Sequence, residues 1–307
     1  METALRRAAK TLNKNKALLL LALPGLLCIF VFSYVPMFGI VIAFKNYNAV
    51  DGIWGSPWIG LRNFEFLFNS QDAWRITYNT LALNFSFIAF GTVAAVALAI
   101  VMNEIKSRWM SSIYQSVLFL PHLLSWVLVG YLVFALLAAS GLVNHVLAAF
   151  DREAVSWYTE PAYWPFILTI TVIWKQAGYT SIIFLASIIG ISPEYYEAAK
   201  IDGASKLQQI RYITLPCLVP VITIMTLLSI GRIFYADFGL FYNVTQDIGQ
   251  LYPTTDVIDT YVFRMLRTVG DIGMASAAGV YQSIVGFLLV LGSNYFVRKV
   301  NADNALF

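Results

Sequence analysis

Six stretches of this chain are too long and too apolar to belong to a water-soluble core. They run near Ala17–Phe44, Thr77–Met102, Ile113–Ala139, Tyr163–Gly190, Leu215–Asp237 and Gly273–Val297. As helices rising about 1.5 Å per residue, each can cross a hydrocarbon layer of about 30 Å with some tilt. Hydrophobic residues make up 59% of the chain and charged residues 12%, where a soluble domain carries roughly a quarter charged. Mean hydropathy is +0.70. So little polar surface cannot cover the molecule in water, so the bilayer is its solvent. The expected fold is all-α: a polytopic membrane protein of six transmembrane helices. Pro24, Pro36, Pro121, Pro165 and Pro220 fall inside these runs, tolerable where neighbouring helices satisfy the backbone groups they free.

The basic start (Arg6, Arg7, Lys10, Lys14, Lys16) before an apolar run superficially resembles a signal peptide. The run continues to Phe44, well past an h-region of about 7–15 residues, and no small-x-small site closes it. Leu27 is too bulky for a lipoprotein site at Cys28. The segment is therefore expected to remain as the first span. With the N-terminus inside, cytoplasmic segments also hold Lys106, Arg108, Lys200, Lys206, Arg211, Arg298 and Lys299. The outer segments hold only Lys45, Arg62, Arg75, Arg152, Arg264 and Arg267. The positive-inside bias places both termini, 1–16 and 298–307, in the cytoplasm, flanking a membrane domain over 17–297.

Several classes of function drop out. A net charge of +3 is small and scattered, with no basic patch interleaved with aromatics, so nucleic acid is not a partner. Cys28 and Cys217 sit in or beside apolar runs as packing residues. His122 and His145 are the only histidines, with no metal-binding spacing, so no metal site is expected; His122 suits a helix interface and His145 a loop surface. There is no Gly-x-Ser-x-Gly and no Gly-Lys dipeptide, hence neither a nucleophile elbow nor a Walker A loop. The outer loops are richer. Trp54, Trp58, Trp74 and Phe64-Glu65-Phe66-Leu67-Phe68 suit a short interfacial helix or lid, or contact with an external protein. Trp157, Tyr158, Tyr163 and Trp164 suit an aromatic belt, and Phe238–Asp271 is long enough for a small folded cap.

One polar segment between two apolar runs stands out. Ser192-Pro193 suits a helix start, serine as N-cap and proline in the first turn. Glu194 and Glu197 favour the positive end of the helix dipole. Gly203 provides the stop, and Ser205-Lys206-Leu207-Gln208 fits a capping box that restarts a helix at once. The product is a helix–turn–helix on the cytoplasmic face, feeding through Ile210 and Ile213 into Leu215-Pro216. Small Ala198 and Ala199 leave room for another surface to approach.

These residues resemble the EAA loop of permeases from ATP-binding-cassette importers. Glu197-Ala198-Ala199, Gly203 and Ile213-Thr214-Leu215-Pro216 carry the resemblance. Asp202-Gly203-Ala204-Ser205 and Ile191-Ser192-Pro193-Glu194-Tyr195-Tyr196 look like the carbohydrate-importing branch. Gly60-Leu61-Arg62-Asn63-Phe64, Tyr78-Asn79-Thr80 and Phe119-Leu120-Pro121-His122 match further, over nearly the whole chain. Ile210 departs from the pattern, many relatives carrying phenylalanine there. The resemblance implies a type I importer transmembrane domain with its coupling helix at about 191–216. It implies a second permease, commonly a different chain, and two ATPases docked on the EAA loops. It further implies an external solute-binding protein that delivers a saccharide. The chain itself would hold no cofactor, ATP and magnesium being bound by the partner. Glu197 would make a polar contact with the ATPase, and Gly203 would allow the bend that seats the helix.

Charges within the runs point to a path. Lys175 lies in the fourth span, and Arg232 and Asp237 in the fifth; such groups normally face a bundle interior or a water-filled cavity. Thr171, Lys175, Gly178 and Tyr179 share one helical face, Trp174 is adjacent, and Tyr235 follows Arg232 by nearly a turn. Charge, hydroxyl and aromatic surface suit a sugar, and two positive groups would favour an acidic one. The alternative is structural pairing of Lys175 or Arg232 with Asp237 across helices. Arg232 and Asp237 stand about 140° apart on a regular helix, poor partners within it. A secondary carrier driven by an ion gradient is the rival function, since charges in the membrane also suit ion coupling. It would not need the cytoplasmic helix–turn–helix.

Overall fold

The computed structural model describes residues 15–65, 70–268 and 270–300. Arg6, Arg7, Lys10, Lys14, Phe66–Phe68 and the tail residues 301–307 lie outside the described residues. Among those described, the only β pairing is an isolated bridge between Lys45 and Trp58. Six helical stretches are long and apolar enough to span a membrane: Lys16–Phe44, Asp72–Asn103, Trp126–Ala149, Pro161–Ile189, Lys206–Ile230 and Ile272–Lys299. The chain forms two compact units, one of residues up to 66 with 270–280, the other of 67–269 with 281 onward.

In the first unit, α1 (Lys16–Ile29) runs into a π-turn at Phe30–Tyr34 and a 3₁₀ stretch at Val35–Phe44. The cause is Pro36, which has no N–H to donate. The helix widens by one residue just before it, Val35 N–H bonding Phe30 O. Asn63 closes the end of this span, its Nδ2 donating to Ala43 O at 3.0 Å and Lys45 O at 2.9 Å. Lys45 is buried and donates to Ile53 O and Trp54 O in α2 (Gly52–Gly55). Gly60-Leu61-Arg62-Asn63-Phe64 is thus a closure for the first span: Gly60 turns at φ +63°, Asn63 caps, and Phe64 packs on Phe44.

The second unit is built on α3 (Gln71–Asn103) packed along α7 (Trp164–Ile189). Small residues let the helices close: Ala95 and Ala99 meet Phe184, Leu185 and Ile188 in one cluster. A second cluster joins Leu83, Val129, Trp164, Leu168 and Phe241. The expected third span at Ile113–Ala139 is not one helix. It consists of α4 (Arg108–Leu123) and α5 (Trp126–Leu137), followed by α6 (Leu142–Ala149). Pro121 removes a hydrogen bond in the last turn of α4. Leu124 is extended, and the Ser125 hydroxyl caps α5 by accepting from Leu128 N–H at 3.3 Å. His145 accordingly lies on a helix, not a loop.

The expected aromatic belt is also revised. Trp164 is fully buried, donating to Trp157 O at 2.8 Å, and Tyr158 donates to Val244 O at 3.2 Å; both are packing residues. Pro165 lies in the first turn of α7, where it kinks nothing. The fifth span begins earlier and ends earlier than Leu215–Asp237. Lys206–Gln209 (α9), a π-turn at Ile210–Thr214 and α10 (Leu215–Ile230) form one continuous stretch. Beyond Ile230 the backbone turns and then extends. The expected cap is present as α11 (Phe238–Asn243), α12 (Tyr252–Thr255) and α13 (Ile258–Thr268). Asp256, 1% exposed, holds it together by pairing with Arg264 at 2.5 Å and Arg75 at 3.3 Å.

Candidate functional site

Polar side chains are concentrated in two places. The first lies where both broken spans meet. The last carbonyls of α4 lie beyond the helical ladder, Pro121 O alone being met by Leu124 N–H at 3.2 Å, and Lys175, from the middle of α7, reaches them. Its ammonium donates to Leu124 O at 2.5 Å, His122 O at 2.9 Å and Pro121 O at 3.3 Å. A cation at a helix C-terminus also complements the dipole. Lys175 lies 5.0 Å from the centre of the Trp126 ring, and Trp126 Nε1 donates to Asp237 Oδ2 at 2.6 Å. Asp237 Oδ1 in turn caps α11 by accepting from Gly239 and Leu240. One indole thus meets the cation on its face and the anion at its N–H.

The unwound stretch after Ile230 is satisfied by side chains from elsewhere. Asn84 donates to Ile233 O at 2.8 Å and Gln282 to Phe234 O at 2.9 Å. Asp259 Oδ2 accepts from Ala236 N–H at 2.9 Å and from Gln282 at 3.1 Å. Burial pushes the Asp259 carboxyl above the usual carboxylate range, against the pull of those two donors. Irregular backbone in a membrane protein survives with such partners, where it lines a cavity.

It does line one. A cavity of about 270 Å³ is bounded by Asn84, Phe87, Ile88, Gly91 and Thr92 of α3, by Ile173, Gln176 and Thr180 of α7, and by Ser229, Arg232, Tyr235 and Asp237. Three of the expected path residues, Arg232, Tyr235 and Asp237, therefore come together. Their placement rests on the end of a helix, so the angle of a regular helix between Arg232 and Asp237 does not apply. The other three do not line it. Lys175 is 6% exposed and occupied by carbonyls. Tyr179 stacks on His122 with ring centres 4.3 Å apart, and Trp174 is exposed outside the cavity. Lys175 and Gly178 meet α4, where a Cβ at Gly178 would collide with Leu118 O, and Thr171 is buried with its hydroxyl on Ile167 O. The neighbouring face, Gln176 and Thr180 at i, i+4, is the one that meets the cavity, and their polarity within an apolar run was the available signal.

The second place is the polar hairpin. α8 (Pro193–Ile201) starts at Ser192, whose hydroxyl accepts from Glu194 N–H at 3.4 Å. It stops at Gly203, with φ +78°, and Ala204 N–H reaches back to Ala199 O at 2.8 Å, closing the helix end as a Schellman-type turn. Ser205 and Gln208 form a complete capping box for α9. Leu215 N–H bonds Ile210 O, a π-turn placed just before Pro216 as in the first span. The two arms are joined by Tyr196 and Thr214 hydroxyls at 2.9 Å, and Lys206 pairs with Glu104 at the end of α3 at 2.7 Å. Glu197, Ala198, Asp202 and Gly203 are exposed. So are Ile201, at 87%, and Leu207, at 75%. Such apolar surface at the tip of a polar hairpin marks a contact site, which the sequence pattern alone did not single out.

A multi-helix membrane bundle with a polar-lined cavity and an exposed rigid hairpin defines a transport permease. Residues 88–302 match the family described as "Binding-protein-dependent transport system inner membrane component". The Bacillus subtilis (strain 168) polygalacturonan/rhamnogalacturonan transport system permease protein YteP is 34% identical, over 97% of this chain and 92% of that protein. A chain from the crystal structure of a bacterial ABC transporter involved in import of the acidic polysaccharide alginate is 35% identical. It superposes with a TM-score of 0.86 over 96% of this chain and 99% of that one. A chain from the alginate transporter in complex with an alginate pentasaccharide-bound periplasmic protein is 34% identical, with a TM-score of 0.86, over 95% and 97%. The chain belongs to the binding-protein-dependent permease family and is a multi-pass membrane protein of ABC importers. The ion-gradient carrier is thereby set aside.

Proposed function

We propose that this chain forms half of the membrane pathway of an ATP-driven importer that receives an oligosaccharide or polysaccharide from an external binding protein. A second permease, commonly a different chain, completes the path. Two ATPase subunits, which bind ATP and magnesium, dock on the hairpins. Both termini and the hairpin face the cytoplasm of a bacterial cell, in keeping with the Lys and Arg bias. The relatives' saccharide substrates and the periplasmic protein of the alginate complex support the cargo and its delivery.

The observation that carries the proposal is the hairpin itself. Both of its helices are capped at their starts, its bend is fixed by one left-handed glycine, and it presents Glu197, Ala198, Ile201 and Leu207 outward. A stiff element of this kind can pass ATPase closure to α10 as rigid-body motion. Ala199, Asp202, Ile210, Leu215 and Pro216 maintain its shape. Proline cannot adopt φ +78°, so Gly203→Pro should destroy the bend while the spans still insert. The expected outcome is loss of substrate-stimulated ATP hydrolysis in the reconstituted complex; stimulated hydrolysis at the wild-type rate would remove the docking role.

A further inference from the structure

We propose that Arg232 is a carboxylate-binding group in the cavity and that the saccharide moved past it is anionic, a uronate-containing chain. This rests on the saccharide-importer function proposed above and assigns its substrate class. The carrying observation is a guanidinium without a partner. Lys175 is consumed by three carbonyls, and Asp237, the only anion in the lining, is met on both oxygens by Gly239, Leu240 and Trp126. The Arg232 guanidinium lines the cavity exposed and, among the described residues, makes neither a hydrogen bond nor an ion pair.

A guanidinium left without a partner in a helical membrane bundle is costly. A neutral sugar asks only for hydrogen bonds, which amide and hydroxyl groups provide without that cost. A carboxylate, in contrast, accepts the two parallel N–H bonds of a guanidinium. The root of Arg232 is also held: the carbonyls of the next two residues, Ile233 and Phe234, are fixed by Asn84 and Gln282. The side chain is therefore carried on a rigid base, as a recognition group needs. Around it Thr92, Gln176 and Thr180 offer uncharged partners for ring hydroxyls. At about 270 Å³ the cavity falls just below the range of about 300–1,000 Å³ for small-molecule pockets, suited to a short segment of a passing chain.

The test uses the complete transporter in proteoliposomes, with saturating binding protein, and two probes: an oligogalacturonate and its methyl ester, which keeps the shape and loses the charge. The readout is the ratio of their import rates. In Arg232→Gln this ratio should fall about tenfold, the worth of a charged hydrogen bond, while Arg232→Lys should keep it within about twofold of wild type. A variant that merely folds poorly lowers both rates and leaves the ratio alone. An unchanged ratio in Arg232→Gln overturns the proposal and leaves the saccharide importer standing, as does wild-type import of the ester in preference to the acid. A wild-type complex that imports no saccharide at all overturns the importer function first, and this proposal with it.

Discussion

A lysine ammonium has three donors and no acceptor, and Lys175 directs all three at the frayed end of α4. That explains how a charge sits in the centre of an apolar helix with no carboxylate in direct contact. Lys175→Met would take the donor from His122 O and Leu124 O, a cost of about 2–4 kcal/mol. The purified protein should then melt at least about 5 °C lower, with import slowed and preference among saccharides unchanged; Lys175→Arg should recover most of the loss. Wild-type melting combined with altered preference would instead return Lys175 to the substrate path. Sequence inspection finds Lys175 and Arg232 equally suspicious, since both are charges in apolar runs. It cannot separate them, because the distinction is made by carbonyls as far as 54 positions away in the chain.

At the scale of elements, what was legible depended on whether the determinants are local. The hairpin could be read in advance because Ser192, Gly203 and the Ser205–Gln208 box act within a few residues of the ends they make. The breaks after Leu123 and Ile230 could not, since hydropathy stays high through both. What lets the backbone leave the helix is remote: Asn84 lies 149 positions from Ile233, and Gln282 lies 48 from Phe234. Asp259 is the third of these braces, and burial raises its carboxyl above the usual range. Above that raised value the folded state carries a buried charge, so this group's favourable contribution, full at acid pH, is lost as pH rises through it. An asparagine can accept the same two hydrogen bonds without the charge. Asp259→Asn should therefore raise the melting temperature relative to wild type at pH 8, and the gain should shrink as the pH falls towards 4. A gain independent of pH would mean that Asp259 is neutral throughout.

For the whole molecule, family membership was legible from one loop, while the sidedness of that loop rests on charge bias alone. α9 and α10 form one continuous span with the hairpin at its start and the α11–α13 cap beyond its end. The two must then emerge on opposite faces of the membrane. Leu207 in the hairpin and Gln250 in the cap are both exposed, so each can carry a reporter thiol once Cys28 and Cys217 are replaced by alanine. A membrane-impermeant maleimide should label Gln250→Cys in intact cells and Leu207→Cys only after permeabilisation. The reverse pattern would put the hairpin on the outer face, beyond the reach of any ATP-driven partner. The capped bend, the left-handed Gly203 and the exposed Ile201 would then need a different occupant.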